Sequence, residues 1–283
     1  MSCRSSSKLS SRELSQVYDL YSKQDWLTSR EKSLIKLLSD CNNSREKELL
    51  FSLLERFTYL KCEEYQASVR NIIQHIIHTP NINENNTQVL CLANDPEADS
   101  SHYFIYLYKF YFKEAGWWKI KPLVRPKSVI KRASNQPNIF IIDEFVGSGI
   151  TALNRLNHLK SSLESKGITL FSIKLCVIAA MNHGLAKVKN GHFEVYANHI
   201  LTKGITDHYS HSALSEALND MFRLESSLMP SINGADLPSL GYKKSESLFG
   251  RDTGIAPNNV FPIFWWRQYV DASERTPLLL GSI

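Results

Sequence analysis

Residues 138–151 read NIFIIDEFVGSGIT, and this stretch decides the fold. The run Ile139, Phe140, Ile141, Ile142 is continuously apolar and rich in β-branched side chains, the pattern of a strand covered on both faces. It delivers two acids, Asp143 and Glu144, to its carboxyl end. A Gly-Ser-Gly-Ile-Thr turn then opens a helical pattern over 151–166 that stops at Gly167. In an open α/β sheet, ligands bind outside the carboxyl ends of the strands. A helix start preceded by glycines offers free backbone N–H groups and the positive end of a dipole, which suits a phosphate. Gly147 and Gly149 let the backbone approach, Ser148 and Thr151 add hydroxyls, and Ile150 contributes its N–H. Two carboxylates just ahead can accept hydrogen bonds from vicinal hydroxyls. Phosphate on one side and diol acceptors on the other describe a ribose 5-phosphate site. The competing reading is a strand end with a tight turn and a helix cap, and it leaves the order of acids, glycines and hydroxyls unexplained.

Two other phosphate loops fit worse. A Walker loop needs a lysine after its second glycine, and none stands here. A dinucleotide fingerprint places its acid about twenty residues after the glycines, whereas here the acids come first.

Outward from this stretch the chain alternates. Before it lie a short buried strand at 88–92, a polar loop at 94–101 and a helix to about residue 114; 122–137 reads as irregular and exposed. After it come strands at 170–180 and 193–197 and a helix at 212–225. Strands alternating with helices predict an α/β fold with a mainly parallel sheet flanked by helices. The first eighty residues read instead as four helices: about 11–23 capped by Ser10 or Ser11, 31–38, 44–57 with Leu49, Leu50, Leu53, Leu54 and Phe57 as its buried stripe, and 63–77. An Asn-rich connection at 81–86 follows. The expected organisation is an N-terminal helical region, 1–80, and one α/β domain, 87–283. The last sixty residues carry no clear period beyond a helical pattern near 261–270.

With 283 residues, 43% hydrophobic and 22% charged, the chain has an ordinary globular composition, which excludes collagen-like, low-complexity and wholly disordered classes. The longest apolar run, 168–181, is broken by Ser172 and Lys174, so no membrane span is expected. No secretory pattern opens the chain, and the expected location is cytoplasmic. Five scattered cysteines and lone histidines lack metal-ligand spacing, so neither zinc nor a disulfide framework is expected. The formal net charge is +5, yet 101–136 alone holds eight Lys/Arg against one acid, Glu114. A phosphorylated ligand or a nucleic acid could use that excess. Its placement just before the phosphate turn favours a mobile basic loop beside an anionic ligand.

The stretch 139–151, IFIIDEFVGSGIT, resembles the phosphoribosyl diphosphate (PRPP) binding motif of type I phosphoribosyltransferases, aligning without a gap. The resemblance implies a parallel sheet of five strands with helices and a variable hood. It implies that Asp143 and Glu144 meet the ribose hydroxyls and that Gly147, Ser148, Gly149, Ile150 and Thr151 hold the 5-phosphate. LANDPEADSSHYFIY at 92–106, together with Gly241, Tyr242, Phe249, Gly250, Asn258, Asn259 and PIFWW at 262–266, is similar to the phosphoribosyltransferase-like effectors of bacterial anti-phage conflict systems, including retron-type systems. That narrower resemblance implies a toxin restrained by a partner complex of reverse transcriptase with RNA and DNA.

Two departures matter. Several purine enzymes of the family carry an Asp, the base for the incoming purine, where this chain has Gly147. The loop after the first strand is acidic, with Asp95, Glu97 and Asp99, where the family cradles pyrophosphate with a cation. Mg²⁺ could stand between those acids and a pyrophosphate. Arg125, Lys127, Lys131 and Arg132 could supply the cation if their segment folds over the site. Bond cleavage at the anomeric carbon builds positive charge there, which Asp143 and Glu144, joined by Asp95 or Asp99, would favour. The alternative function is a PRPP- or nucleotide-sensing module without turnover, docked on a ribonucleoprotein partner.

Overall fold

The structure, a computed structural model, describes residues 10–91, 99–252 and 254–281, and for 99–103 only the backbone course. In chain order it contains α1 (Ser11–Lys23), α2 (Glu31–Ser39), α3 (Ser44–Glu55), β1 (Thr58–Leu60), α4 (Cys62–Ile77), β2 (Thr87–Cys91), α5 (Asp99–Glu114) and α6 (Pro126–Arg132). There follow β3 (Asn138–Val146), α7 (Ile150–Glu164), β4 (Ser172–Met181), α8 (Asn182–Asn190), β5 (Glu194–Leu201), α9 (His211–Glu225), the two-residue strands β6 (Ser231–Ile232) and β7 (Ala235–Asp236), and β8 (Phe249–Arg251).

The chain divides into two units, Met1–Lys61 with Thr202–Ile283, and Cys62–Leu201. The expected boundary near residue 80 therefore falls inside the second unit, between α4 and β2. The last eighty residues join the N-terminal helices instead of the sheet.

The Cys62–Leu201 unit is a four-stranded sheet in the order β2-β3-β4-β5, parallel throughout, with Val89 opposite Phe140 and Ile141 opposite Leu175. Its interior strands are apolar without alternation because both faces are covered: seven consecutive residues of β4, Leu175 to Met181, are buried. On one face Ile139, Ile141, Leu175 and Val177 share a core with Val129 of α6, Leu156 and Leu159 of α7, and Leu185 and Val188 of α8. Helix α4 lies against β4 and β5 and packs on α5. His75 stacks on Tyr196 at 4.0 Å, and the Asn198 amide donates to the Ser68 carbonyl at 2.7 Å. A fifth strand position is held by a single residue. Leu123 pairs in parallel with Leu90 at the sheet edge, accepting from Cys91 N–H at 2.8 Å and donating to Val89 O at 2.7 Å.

Residues 122–137, expected as irregular, contain α6. Pro126 occupies its first turn, where a missing N–H costs nothing, and Val129 and Ala133 are fully buried beneath it. The basic segment is thus a folded part of the sheet edge. Its two prolines at 122 and 126 hid a helix of only seven residues.

In the other unit the capping box expected at α1 is formed. Ser10 Oγ accepts from Glu13 N–H at 3.2 Å, and Glu13 Oε2 accepts from Ser10 N–H at 2.7 Å. One core joins Leu27, Leu34, Leu50 and Leu54 to Met221, Phe261, Phe264, Trp265 and Trp266. Strands β1 and β8 pair in parallel, Thr58 with Phe249. The helix expected near 261–270 is a single 3-10 turn, Pro262–Phe264. Both tryptophans are buried in the core, so neither offers a face to a base. No described helix is long and apolar enough to cross a membrane.

Candidate functional site

Strand β3 runs through both acids, to Val146, so Asp143 and Glu144 are held by sheet hydrogen bonding, with Asp143 opposite Val177 of β4. Alternation along the strand sends them to opposite faces. Asp143 continues the face of Ile139 and Ile141, toward α7. Its Oδ1 accepts the Glu144 N–H at 2.8 Å, and the Arg155 guanidinium of α7 stabilises its charge. Burial outweighs both effects and pushes the Asp143 carboxyl up to about 7, although the side chain keeps some solvent contact. Glu144 points to the α4 face, where the buried Tyr65 hydroxyl donates to its Oε2 at 3.5 Å. The two acids straddle the end of the strand, both partly buried.

The turn 147–149 follows directly. Gly149 adopts φ 75°, the left-handed region, and stands as N-cap of α7, where it has no side chain of its own to cap the helix. Ser148 Oγ is 3.5 Å from Ile150 N–H, and Thr151 is exposed at the second helical position. The glycines serve packing. A Cβ on Gly149 would lie 2.5 Å from the Gly184 carbonyl oxygen, and one on Gly184 would lie 2.1 Å from that of Gly147. Helix α8 begins at the carboxyl end of β4, and its third residue, Gly184, seats the turn 147–149. Sequence reasoning missed Gly184. Its signal was the Asn-His-Gly that ends the apolar run 175–181, the same strand-to-helix punctuation that marks the first turn.

Beside the turn lies a cavity of about 380 Å³ lined by Leu90, Cys91 and Ile141, by Val124 and Pro126 at the start of α6, and by Thr151, Asn154, Arg155, His158 and Leu159 of α7. Arg125 caps α6 at this rim, and Lys127 lies in its first turn; both are exposed. Lys131 and Arg132 occupy the last turn of α6, which leads back toward the amino end of β3, away from the acids. The structure therefore brings two of the four expected cations to the site's end of the sheet and carries the other two from it. Asp95 lies outside the described residues, and Asp99 opens α5. Among the described residues no three His, Cys, Asp or Glu side chains gather as a metal cage.

No curated protein matches the chain. Among solved structures, the Helicobacter pylori xanthine-guanine-hypoxanthine phosphoribosyltransferase is similar at 11% identity, with a TM-score of 0.30, covering 51% of this chain and 84% of that one. A family model described as PRTase-CE matches residues 38–279, and so takes in parts of both units. The chain belongs to the PRTase-CE family, and its fold is phosphoribosyltransferase-like.

Proposed function

We propose that this protein binds PRPP or a nucleotide through its ribose 5-phosphate and cleaves or transfers at the anomeric carbon. One observation carries the reading. Strand β3 carries two carboxylates near its carboxyl end, and five residues after the second an α-helix starts on a left-handed glycine that has no side chain to close its first turn. The N–H groups and dipole of α7 suit the 5-phosphate, and Asp143 and Glu144 suit the ribose hydroxyls and the positive charge that grows at the anomeric carbon. Mg²⁺, when bound with a pyrophosphate, would neutralise leaving-group charge. Because Gly147 replaces the purine enzymes' acid, the acceptor is water or a group that needs no base at that position.

The finer reading is a cytoplasmic effector of anti-phage defence, toxic to its own host and held by a reverse transcriptase–nucleic acid complex. It rests on the retron-type resemblance of 92–106 and of the 241–266 motifs. Growth after induction tests it: the wild-type chain should arrest cells, and Asp143→Asn with Glu144→Gln should not. Unchanged toxicity in the double variant overturns the enzymatic reading. Thermal-shift titration with PRPP and Mg²⁺ tests the pocket, and no stabilisation at millimolar ligand counts against it.

The alternative, a non-catalytic sensor docked on a ribonucleoprotein, draws on one face of α5. Tyr106 and Phe110 are 64% and 49% exposed, with Lys109 and Lys113 on the same stripe and Lys113 over the ring of Trp118, itself 66% exposed. Exposed aromatics interleaved with lysines suit stacked, single-stranded bases.

A further inference from the structure

The cavity beside the phosphate turn has two unlike walls. Its floor is Leu90, Ile141 and Leu159, all almost fully buried. Its rail is Thr151, Asn154, Arg155 and His158, at i, i+3, i+4 and i+7 on one side of α7. The rail spans about 10 Å along the helix at 1.5 Å per residue. An apolar floor with a few convergent polar groups, at about 380 Å³, is the build of a pocket for a flat heterocycle with a hydrogen-bonding edge.

The cavity is continuous with the phosphate turn. Thr151, the second residue of α7, belongs to both, and Arg155 both lines the cavity and faces Asp143. A ligand anchored by its phosphate at Gly149 to Thr151 therefore meets, along α7, first the Arg155 guanidinium and then an apolar slot. We propose that the ligand continues past its 5′-phosphate through a second phosphate beside Arg155, so that the second nucleoside of a pyrophosphate-linked dinucleotide lies on Leu90, Ile141 and Leu159 against the α7 rail. This rests on the ribose 5-phosphate reading above and adds a compartment to it.

Calorimetric titration of the full chain with ribose 5-phosphate, ADP-ribose and adenosine tests the proposal, with Asn154→Trp as the variant. Asn154 is exposed, so the indole can fill the cavity mouth without entering the core. ADP-ribose should bind at least about tenfold tighter than ribose 5-phosphate. In Asn154→Trp that advantage should vanish while ribose 5-phosphate binds as before. Equal affinities for the two ligands overturn the second compartment and leave the phosphate turn intact. Failure of both ligands to bind overturns the compartment together with the ribose 5-phosphate reading. Adenosine binding that is blocked by Asn154→Trp, without any advantage for ADP-ribose, overturns the linked ligand in favour of a separate heterocycle.

Discussion

Asp143 should cost the fold stability, and Asp143→Asn should recover it at alkaline pH. The carboxyl is pushed from 3.8 up to about 7, and each pKa unit corresponds to about 1.4 kcal/mol, giving a ceiling of about 4 kcal/mol. The side chain keeps some solvent contact, which roughly halves this, to about 2 kcal/mol. The sign follows from proton binding. Below pH 3.8 both folded and unfolded chains hold the proton, and the group contributes nothing. Between 3.8 and about 7 the unfolded chain has released a proton that the folded chain retains, so stability falls as pH rises. Above 7 the full cost is present. Asparagine keeps the Oδ1 acceptor for the Glu144 N–H and removes the charge. By calorimetry at pH 8.5, the transition of the sheet unit in Asp143→Asn should lie roughly 4–8 °C above wild type, and the gain should shrink at least twofold by pH 5. The same variant should lose PRPP binding, the usual cost where function holds a strained group. A variant no more stable than wild type at pH 8.5, or one whose gain does not change with pH, refutes the reasoning.

Gly184→Ala should displace the phosphate turn, since its Cβ meets the Gly147 carbonyl at 2.1 Å. About tenfold weaker PRPP binding and about 1–3 kcal/mol lower stability are expected by titration and urea melts, as for overpacked sites. Arg275→Met should destabilise the helical unit by about 2–4 kcal/mol in urea melts, because the half-buried guanidinium donates to Trp266 O at 2.6 Å and Ile263 O at 3.0 Å, and both carbonyls would lose their donor. Tyr106→Ala with Phe110→Ala on α5 should weaken binding of a fluorescent single-stranded oligonucleotide about tenfold or more by anisotropy, with little change in thermal stability, because both rings are exposed.

The strand and turn at 138–151 were legible because their determinants are local: an apolar run, two acids, glycines that permit φ above zero, and a helix pattern after them. Ile139 to Ile142 are indeed buried, and Gly149 is indeed left-handed. Helix α6 was not legible, because seven residues between prolines give too few turns for a period. Gly184 was missed for a different reason. Its role exists only where α8 and the phosphate turn meet, 35 residues apart in sequence. The basic segment was visible as charge, but its distribution between the site's end of the sheet and the far end of α6 required the helix.

From sequence alone came the parallel α/β character, the order of acids and phosphate turn on β3, and most helix boundaries, since each is set within about fifteen residues by periodicity and capping chemistry. Tertiary structure decided the rest. It set the Asp143 carboxyl near 7 by burial, turned Glu144 toward Tyr65, and opened an apolar floor beside the α7 rail. It also joined the N-terminal helices to the last eighty residues, through a shared core and the pairing of Thr58 with Phe249. Burial, faces and long-range pairing depend on which segments meet in space, and spacing along a chain carries no record of that.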